Sequence, residues 1–316
     1  MARFHSASRS GPRVSFSVLA LVGPTASGKT GLGLELAAAL EAAGRPVELV
    51  NADAMQLYTG MDIGTAKLPK AQRQYPPHHL FDVITPAQEM TAVEYQRIAR
   101  VTCQEILKAG KTPMYVGGSM FYLAAALDQL DFAPTDPAIR SKLEHEAEIL
   151  GALALHERLK NLDPITASKI PAQNIRRVIR ALEVIAITGE SYSSSLPEPR
   201  SWLPTLQIGI DVERELLKAR IHARVEQMWQ QGIVGEVEQL LSSGDLGKTA
   251  KMAIGYKQAI AQLQGEMTEE AAKAETVALT NRYARRQMSW FRRDKRINWV
   301  KAGNQMLSEA LELIRL

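Results

Sequence analysis

The sequence predicts an α/β protein: a parallel sheet flanked by helices, interrupted by an all-helical segment and followed by a helical C-terminal region. Three observations carry this. A glycine-rich loop stands between an apolar run and a helix-length stretch. Short apolar runs then alternate with helical segments as far as Leu127, the pattern of strands covered on both faces and joined by crossover helices. Strand-like runs are missing from Asp136 to Thr188, and one returns at Thr205–Val212, so the sheet resumes after an insertion.

Val18–Val22 is the first strand. Gly23 to Thr30 reads Gly-Pro-Thr-Ala-Ser-Gly-Lys-Thr, a complete G-x-x-x-x-G-K-[ST] motif with a helix, Lys29–Ala43, behind it. Strand, loop and helix in that order define a P-loop and a P-loop NTPase-like fold. Gly23, Pro24, Thr25, Ala26, Ser27, Gly28, Lys29 and Thr30 are therefore the candidate phosphate-binding residues. The loop aims backbone N–H groups at a phosphate, and the helix N-terminus adds partial positive charge. Lys29 supplies a full charge, and the Thr30 hydroxyl is a candidate Mg2+ ligand.

Pro46–Val50 is the second strand. It runs into Asn51-Ala-Asp53, which brings Asp53 to the sheet edge that carries the P-loop. A carboxylate there can hold Mg2+ through water, take a proton from an attacking group, or cap a turn. An irregular stretch follows to about Pro86. Thr91–Ala109 is a helix whose Tyr95, Ile98, Ala99, Thr102, Cys103 and Ile106 share helical spacing, so Cys103 reads as packing. Pro113–Val116 is the third strand and leads into Gly117-Gly-Ser119 without an acid. Met120–Leu127 is a helix.

In the insertion, roughly 130–200, Asp136-Pro137 and Asp163-Pro164 each read as an N-cap followed by proline at the first helical position. Gly189 reads as the C-cap of Arg176–Ile187. Ser191–Arg200 is a loop by its turn residues. From Glu213 onward the pattern is helical. Asp211 superficially fits a Walker-B acid, but it adjoins the Glu213–Gln231 helix, where N-capping explains it better. Without such an acid, or elements that sense a γ-phosphate, a mechanochemical ATPase is disfavoured. A small-molecule kinase or another transferase with a phosphate leaving group remains.

Two basic faces stand out. Arg220 and Arg224 are four residues apart, able to clamp a phosphate or to lie on a solvated helix face. Farther on, Thr268 caps a helix with acids in its first turn. Arg282 to Arg296 carries seven basic residues against the single acid Asp294. Arg282, Arg285, Arg286, Ser289 and Arg293 fall on one expected face, with Ala284, Met288 and Phe291 packing and Tyr283 and Trp290 between. A basic stripe beside aromatics suits an RNA backbone.

Composition is that of a soluble globular chain: 316 residues, 46% hydrophobic, 23% charged, net charge +4. One cysteine excludes an internal disulfide and fits a reducing compartment. No apolar run approaches the roughly 20 residues of a membrane span. Residues 1–17 are rich in Ser and Arg, lack an apolar stretch, and read as a disordered basic tail rather than a secretory signal.

Taken together, the blocks resemble the tRNA dimethylallyltransferases (tRNA isopentenyltransferases) over nearly the whole chain, Val18 to Arg293. They are Gly23–Thr30, Asn51-Ala-Asp-Ala-Met-Gln56, Gly60-Met-Asp-Ile-Gly-Thr-Ala-Lys67, Pro77-His-His-Leu80 and Gly117-Gly-Ser-Met-Phe-Tyr122. The later ones are Arg176-Arg-Val-Ile-Arg-Ala-Leu-Glu183, Ala253-Ile-Gly-Tyr-Lys257 and Arg285-Arg-Gln-Met-Ser-Trp290. The resemblance implies transfer of a dimethylallyl group from dimethylallyl diphosphate to the exocyclic amine of the adenosine 3′-adjacent to the tRNA anticodon. The P-loop then holds pyrophosphate with Mg2+, Thr25 lies near the reacting centre, Arg224 contacts the pyrophosphate, and Asp53 accepts the amine proton.

The same resemblance implies tRNA contacts at Asp53, Ala54, Met55, Gln56, Ser119, Arg140, Arg176, Arg177, Arg180, Met252, Gly255, Tyr256, Lys257, Arg282, Arg285 and Arg286. The insertion 130–200 is expected to grip the anticodon stem-loop beside a core made of 18–129 and 201–316. A cytoplasmic monomer with no membrane partner is expected, and the resemblance makes His78 and His79 part of a structural loop rather than a metal site. Ala54, Ser119, Gln173 and Gly235 depart from the commonest family residues, and none of them removes an expected catalytic group.

Overall fold

The computed structural model describes residues 16–192, 198–244 and 246–315. The expected basic tail lies outside them except for its last two positions, as do residues 193–197 of the Ser191–Arg200 loop. The described residues fall into two compact units, one on either side of the breaks Asp128/Gln129 and Arg200/Ser201.

The larger unit is built on a six-stranded parallel sheet in the order β3-β2-β4-β1-β5-β6. Its strands are β1 (Val18–Val22), β2 (Val47–Asn51), β3 (His78–His79), β4 (Thr112–Gly117), β5 (Thr205–Asp211) and β6 (Ile297–Lys301). Alternation along β1 feeds two cores. Val18, Ala20 and Val22 face one layer with α2 (Ala92–Lys108) and α3 (Met120–Leu127). Leu19 and Leu21 face the other, with α1 (Lys29–Ala42) and α12 (Met306–Ile314). Because both faces are covered, all five β1 residues are buried, and the strand reads as an unbroken apolar run.

Thr91 caps α2 in a full capping box with Glu94, and Cys103 is buried in its packing face. A third apolar cluster joins α7 (Arg214–Gln230), α8 (Ile233–Ser242), α9 (Lys248–Lys251), α10 (Tyr256–Leu263) and α11 (Glu269–Phe291). Thr268 caps α11 through its hydroxyl, as its sequence predicts.

Two expectations are corrected. The chain after Glu213 is not purely helical: β6 adds to the free edge of β5, with Ile297 and Val300 buried and Asn298 and Lys301 turned outward. Asp211 does not cap the following helix, whose N-cap is Glu213; its carboxylate instead accepts from Arg292 at 3.1 Å.

The smaller unit, Gln129–Arg200, is helical: α4 (Pro137–Leu162, bent at Gly151), α5 (Pro164–Lys169) and α6 (Ile175–Thr188) pack around Leu143, Leu155, Leu159, Val178 and Leu182. Asp136 and Asp163 cap α4 and α5 ahead of proline, and Gly189 ends α6 with φ of 72°.

Candidate active site

The P-loop leaves β1 and turns into α1 with Gly28 at φ 97° as N-cap, so no side chain occupies the free N–H groups of the first turn. Those groups point at open space at the carboxyl end of the sheet. Ser27 is 1% exposed, and its buried Oγ has no hydrogen-bond partner. An orphaned hydroxyl inside a loop of this shape is what an anion would satisfy. The Lys29 ammonium donates to the Gly23 and Pro24 carbonyls at 3.0 and 2.7 Å. Desolvation brings its pKa down to about 8; the Asp53 charge opposes that fall, and Arg224 adds to it.

β2 delivers Asp53 to the same edge, as its sequence position predicts. Asn51 Oδ1 accepts the Asp53 N–H at 2.9 Å, and Asp53 Oδ1 accepts from Met55 N at 3.0 Å, capping the short turn Ala54–Leu57. Asp53 therefore caps a turn and also lines the phosphate cavity. β4 ends beside it. A Cβ on Gly117 would stand 2.1 Å from the Ala52 carbonyl oxygen, so only glycine allows the ends of β2 and β4 to converge here.

α7 closes the cradle. Arg224 Nη1 donates to Thr25 Oγ1 at 2.9 Å, and Arg220 Nη1 reaches the Ser27 carbonyl at 3.3 Å. Both face the cavity rather than bulk solvent. Lys29, Thr30, Asp53, Arg220 and Arg224 thus line one open cavity of about 610 Å³. It has room for a diphosphate with an organic substituent. Three cations around a single carboxylate make it an anion site with one proton acceptor.

Three wall elements carry no role in the sequence reading. Gln287 is 2% exposed; its Oε1 accepts the Thr25 N–H at 2.9 Å and its Nε2 donates to the Gly118 carbonyl at 2.7 Å, tying α11 to the P-loop. It lies inside the Arg285–Trp290 block, which was the available signal. Thr65 and Ala66 form another wall, and the block Gly60–Lys67 was theirs. Gly303 and Asn304 enter only because β6 carries them there, and no local pattern marks them.

The expected RNA contacts separate into groups. Met252, Lys257, Arg176 and Arg177 are exposed. Gln56 lines the cavity, beside half-buried Ala54 and Met55. Ser119 Oγ is occupied by the Ala54 N–H at 2.8 Å. Gly255 is buried with φ of 92°, and Tyr256 is 1% exposed, its hydroxyl donating to Glu236 at 2.6 Å. Both shape the fold instead of presenting a surface.

In the smaller unit Arg140 and Arg180 are bound to the buried Glu183 carboxylate at 2.6 and 2.8 Å. Arg180 also donates to the carbonyls of Ala133 and Pro134. Both guanidinium groups are thus engaged by Glu183, although the Arg140 side chain remains partly exposed. The α11 stripe is not one face either. Arg282, Arg285, Ser289 and Arg293 line a groove against α7, whereas Arg286 lies over the Tyr283 ring, 5.8 Å from its centroid. Tyr283 faces Ser119 and Gln287. Burial, and then the Asp53 charge, raise its pKa to about 12.

His79 Nε2 pairs with Glu48 at 2.5 Å, and His78 Nδ1 with the Pro76 carbonyl at 2.6 Å, so each has a structural partner. No helix among the described residues is long and apolar enough to cross a membrane.

The sequence profile of the IPP transferase family matches residues 56–294. The chain belongs to this family. The tRNA dimethylallyltransferase of Thermobifida fusca is 50% identical over 285 residues, covering 90% of this chain and 89% of its own. That of Salinispora tropica is 45% identical over 301 residues, covering 95% and 93%. Among solved structures, the tRNA isopentenylpyrophosphate transferase of Bacillus halodurans superposes with a TM-score of 0.70 at 34% identity, over 95% of this chain and 96% of the other. A eukaryotic dimethylallyltransferase acting on tRNA shares the fold, with a TM-score of 0.77 at 24% identity, over 94% and 78%. The IPP transferase profile begins at Gln56, after the P-loop and Asp53, so the case for those residues rests on the cavity geometry.

Proposed function

We propose that this IPP transferase moves a dimethylallyl group from dimethylallyl diphosphate to the exocyclic amine of the adenosine 3′-adjacent to a tRNA anticodon. The observation that carries the reading is the single cavity in which the Lys29 cradle and the Asp53 carboxylate meet. The amine nitrogen forms a bond to the allylic C1. The C1–O bond breaks, and its electron pair leaves with pyrophosphate. The amine proton passes to Asp53. Lys29, Arg220, Arg224 and the loop N–H groups face the oxygens on which charge grows, so their attraction strengthens toward the transition state. The target base has to leave its stack to reach such a site.

Mg2+ fits the donors present. The Thr30 hydroxyl is a hard oxygen donor on the cavity, and Mg2+ characteristically takes few protein ligands alongside phosphate oxygens and water. Bound there, it would neutralise diphosphate charge. Arg176 and Arg177 of the insertion and Arg282, Arg285 and Arg286 of α11 are exposed cations that would meet tRNA phosphates, and a tRNA substrate suits a cytoplasmic enzyme. The deciding assay incubates the protein with labelled dimethylallyl diphosphate and unmodified tRNA: label appears in RNA. Label absent from RNA, with ATP-dependent phosphorylation of a small alcohol instead, would favour a metabolite kinase.

Two further results are expected. Pyrophosphate binding needs Lys29 charged. With a pKa of about 8, the ammonium is the main form at pH 7 and is lost as pH rises through 8. Affinity for inorganic pyrophosphate should fall about fivefold between pH 8 and 9 and nearly another tenfold by pH 10. Calorimetry in buffers of different ionisation enthalpy should register proton uptake above pH 8. Flat affinity across that range would show that Lys29 does not carry the anion. Separately, replacing Arg282, Arg285 and Arg286 together by Ala should weaken tRNA binding and flatten its salt dependence, by roughly one unit of log–log slope for each phosphate left without its arginine. An unaltered slope would make these arginines ordinary surface charge.

A further inference from the structure

Glu236 stands on α8, outside the cavity lining, yet its carboxylate is aimed at the segment that forms one cavity wall. Oε2 accepts from Asp62 N at 3.1 Å and Ile63 N at 2.8 Å; Oε1 faces Gly64 N at 3.5 Å and accepts from the Tyr256 hydroxyl at 2.6 Å. Three consecutive N–H groups converging on a carboxylate resemble the first turn of a helix capped from outside. The segment also lies flat on the Tyr256 ring: a Cβ on Gly64 would come within 2.3 Å of Tyr256 Cε2. Farther along, the buried Lys67 ammonium is held by the Tyr58 carbonyl at 2.6 Å and by Asp82 at 2.7 Å.

Between these two anchors stand Thr65 and Ala66, the residues that face the diphosphate pocket. Ala66 has φ of 49°, a left-handed conformation that a residue with a side chain keeps only when its surroundings over-determine it. The Gln56 amide donates to the Thr65 carbonyl at 3.1 Å, so the same wall is linked to the turn beginning at Asp53.

We propose that Glu236 is a positioning residue for diphosphate binding: it holds the loop Met61–Lys67 from behind, so that Thr65 and Ala66 keep their places against the bound anion. The segment's own bonds, Thr65 Oγ1 to Met61 O and Ala66 N to Ile63 O, survive removal of Glu236. Without the carboxylate the loop therefore keeps its turn and loses its fixed seat. The kinetic arm of the test rests on the prenyl-transfer reading; the binding arm does not.

In the binding arm, inorganic pyrophosphate is titrated into the full-length wild type and into Glu236→Ala and Glu236→Gln. The Ala variant should bind roughly tenfold more weakly, the effect expected of a wall displaced by a fraction of an ångström. The Gln variant keeps one oxygen for the Ile63 N–H and an amide for the Tyr256 oxygen, and should recover to within about threefold of wild type. In the kinetic arm, the Ala variant should raise KM for dimethylallyl diphosphate by the same factor while moving KM for tRNA less than about twofold. A purely structural role would lower the active fraction and leave the pyrophosphate affinity of the folded protein untouched, which overturns the proposal.

If Glu236→Ala does not fold, Glu236→Leu, which fills similar space but offers no acceptor to the amides of 62–64, decides. Faster hydrogen exchange at the amides of 62–64 with weaker pyrophosphate binding supports the role, and wild-type values for both overturn it. A wild type that fails to bind pyrophosphate at all would instead count against the pocket reading itself.

Discussion

Asp53→Ala should lower turnover with tRNA and dimethylallyl diphosphate by about 10²- to 10⁴-fold, the usual contribution of a positioned general base. Among the described residues, the pocket lining contains no second carboxylate or imidazole to take over at pH 7: Lys29, Arg220 and Arg224 are mainly cations there, and Gln56 and Gln287 are amides. Asp53 also caps the turn Ala54–Leu57 through its Oδ1. Asp53→Asn separates the two roles. Its amide oxygen still accepts the Met55 N–H, so the turn persists while the base is gone. Asn and Ala variants of equal inactivity, both binding pyrophosphate, would assign the defect to proton transfer. An Asn variant with near wild-type turnover would reduce Asp53 to a structural cap.

Glu183 governs the second large effect. Burial by itself pushes its carboxyl up, but hydrogen bonds from Arg140, Thr135, Arg180 and the Asp136 N–H outweigh that and hold it at about 2. A folded-state pKa below the unfolded value contributes stability that is complete above about pH 4.5 and disappears as pH falls toward 2. A carboxyl held at about 2 in place of the ordinary 4.5 corresponds to roughly 3 kcal/mol. Wild type should thus exceed Glu183→Gln by roughly 3 kcal/mol in urea unfolding at pH 6, with the gap closing near pH 2. A gap that did not change with pH would mean that the carboxylate charge is not what stabilises the insertion.

Much of this was legible in the residues, for identifiable reasons. Strong local devices survive folding: the P-loop glycines, the two Asp-Pro caps, and the Thr91 and Thr268 helix starts each depend on neighbours only a few residues away. What escaped depends on distant partners. β3 is two residues long and exists only through pairing with β2. β6 follows a basic helix and shows its alternation only once β5 lies beside it. Asp211 looked like a cap because its true partner, Arg292, is far along the chain.

The α11 arginines illustrate the same limit. Their spacing allowed a single stripe, but the neighbours decide direction: α7 receives Arg282, Arg285 and Arg293, while Tyr283 receives Arg286. Within the candidate site, motif residues were found because their chemistry is carried by their own side chains. Glu236 and Gln287 were missed because they act through bonds to other residues' backbones.

The close approach at Gly117 leaves that position no neutral exits. Each codon change away from glycine adds at least one carbon where the Ala52 carbonyl already sits. The resulting shift would part the acid from the anion cradle before any charge is altered. Sequence drift there is closed off by geometry rather than by chemistry, so a library varying this codon should return glycine alone among active clones, while the exposed Gly235 tolerates many replacements.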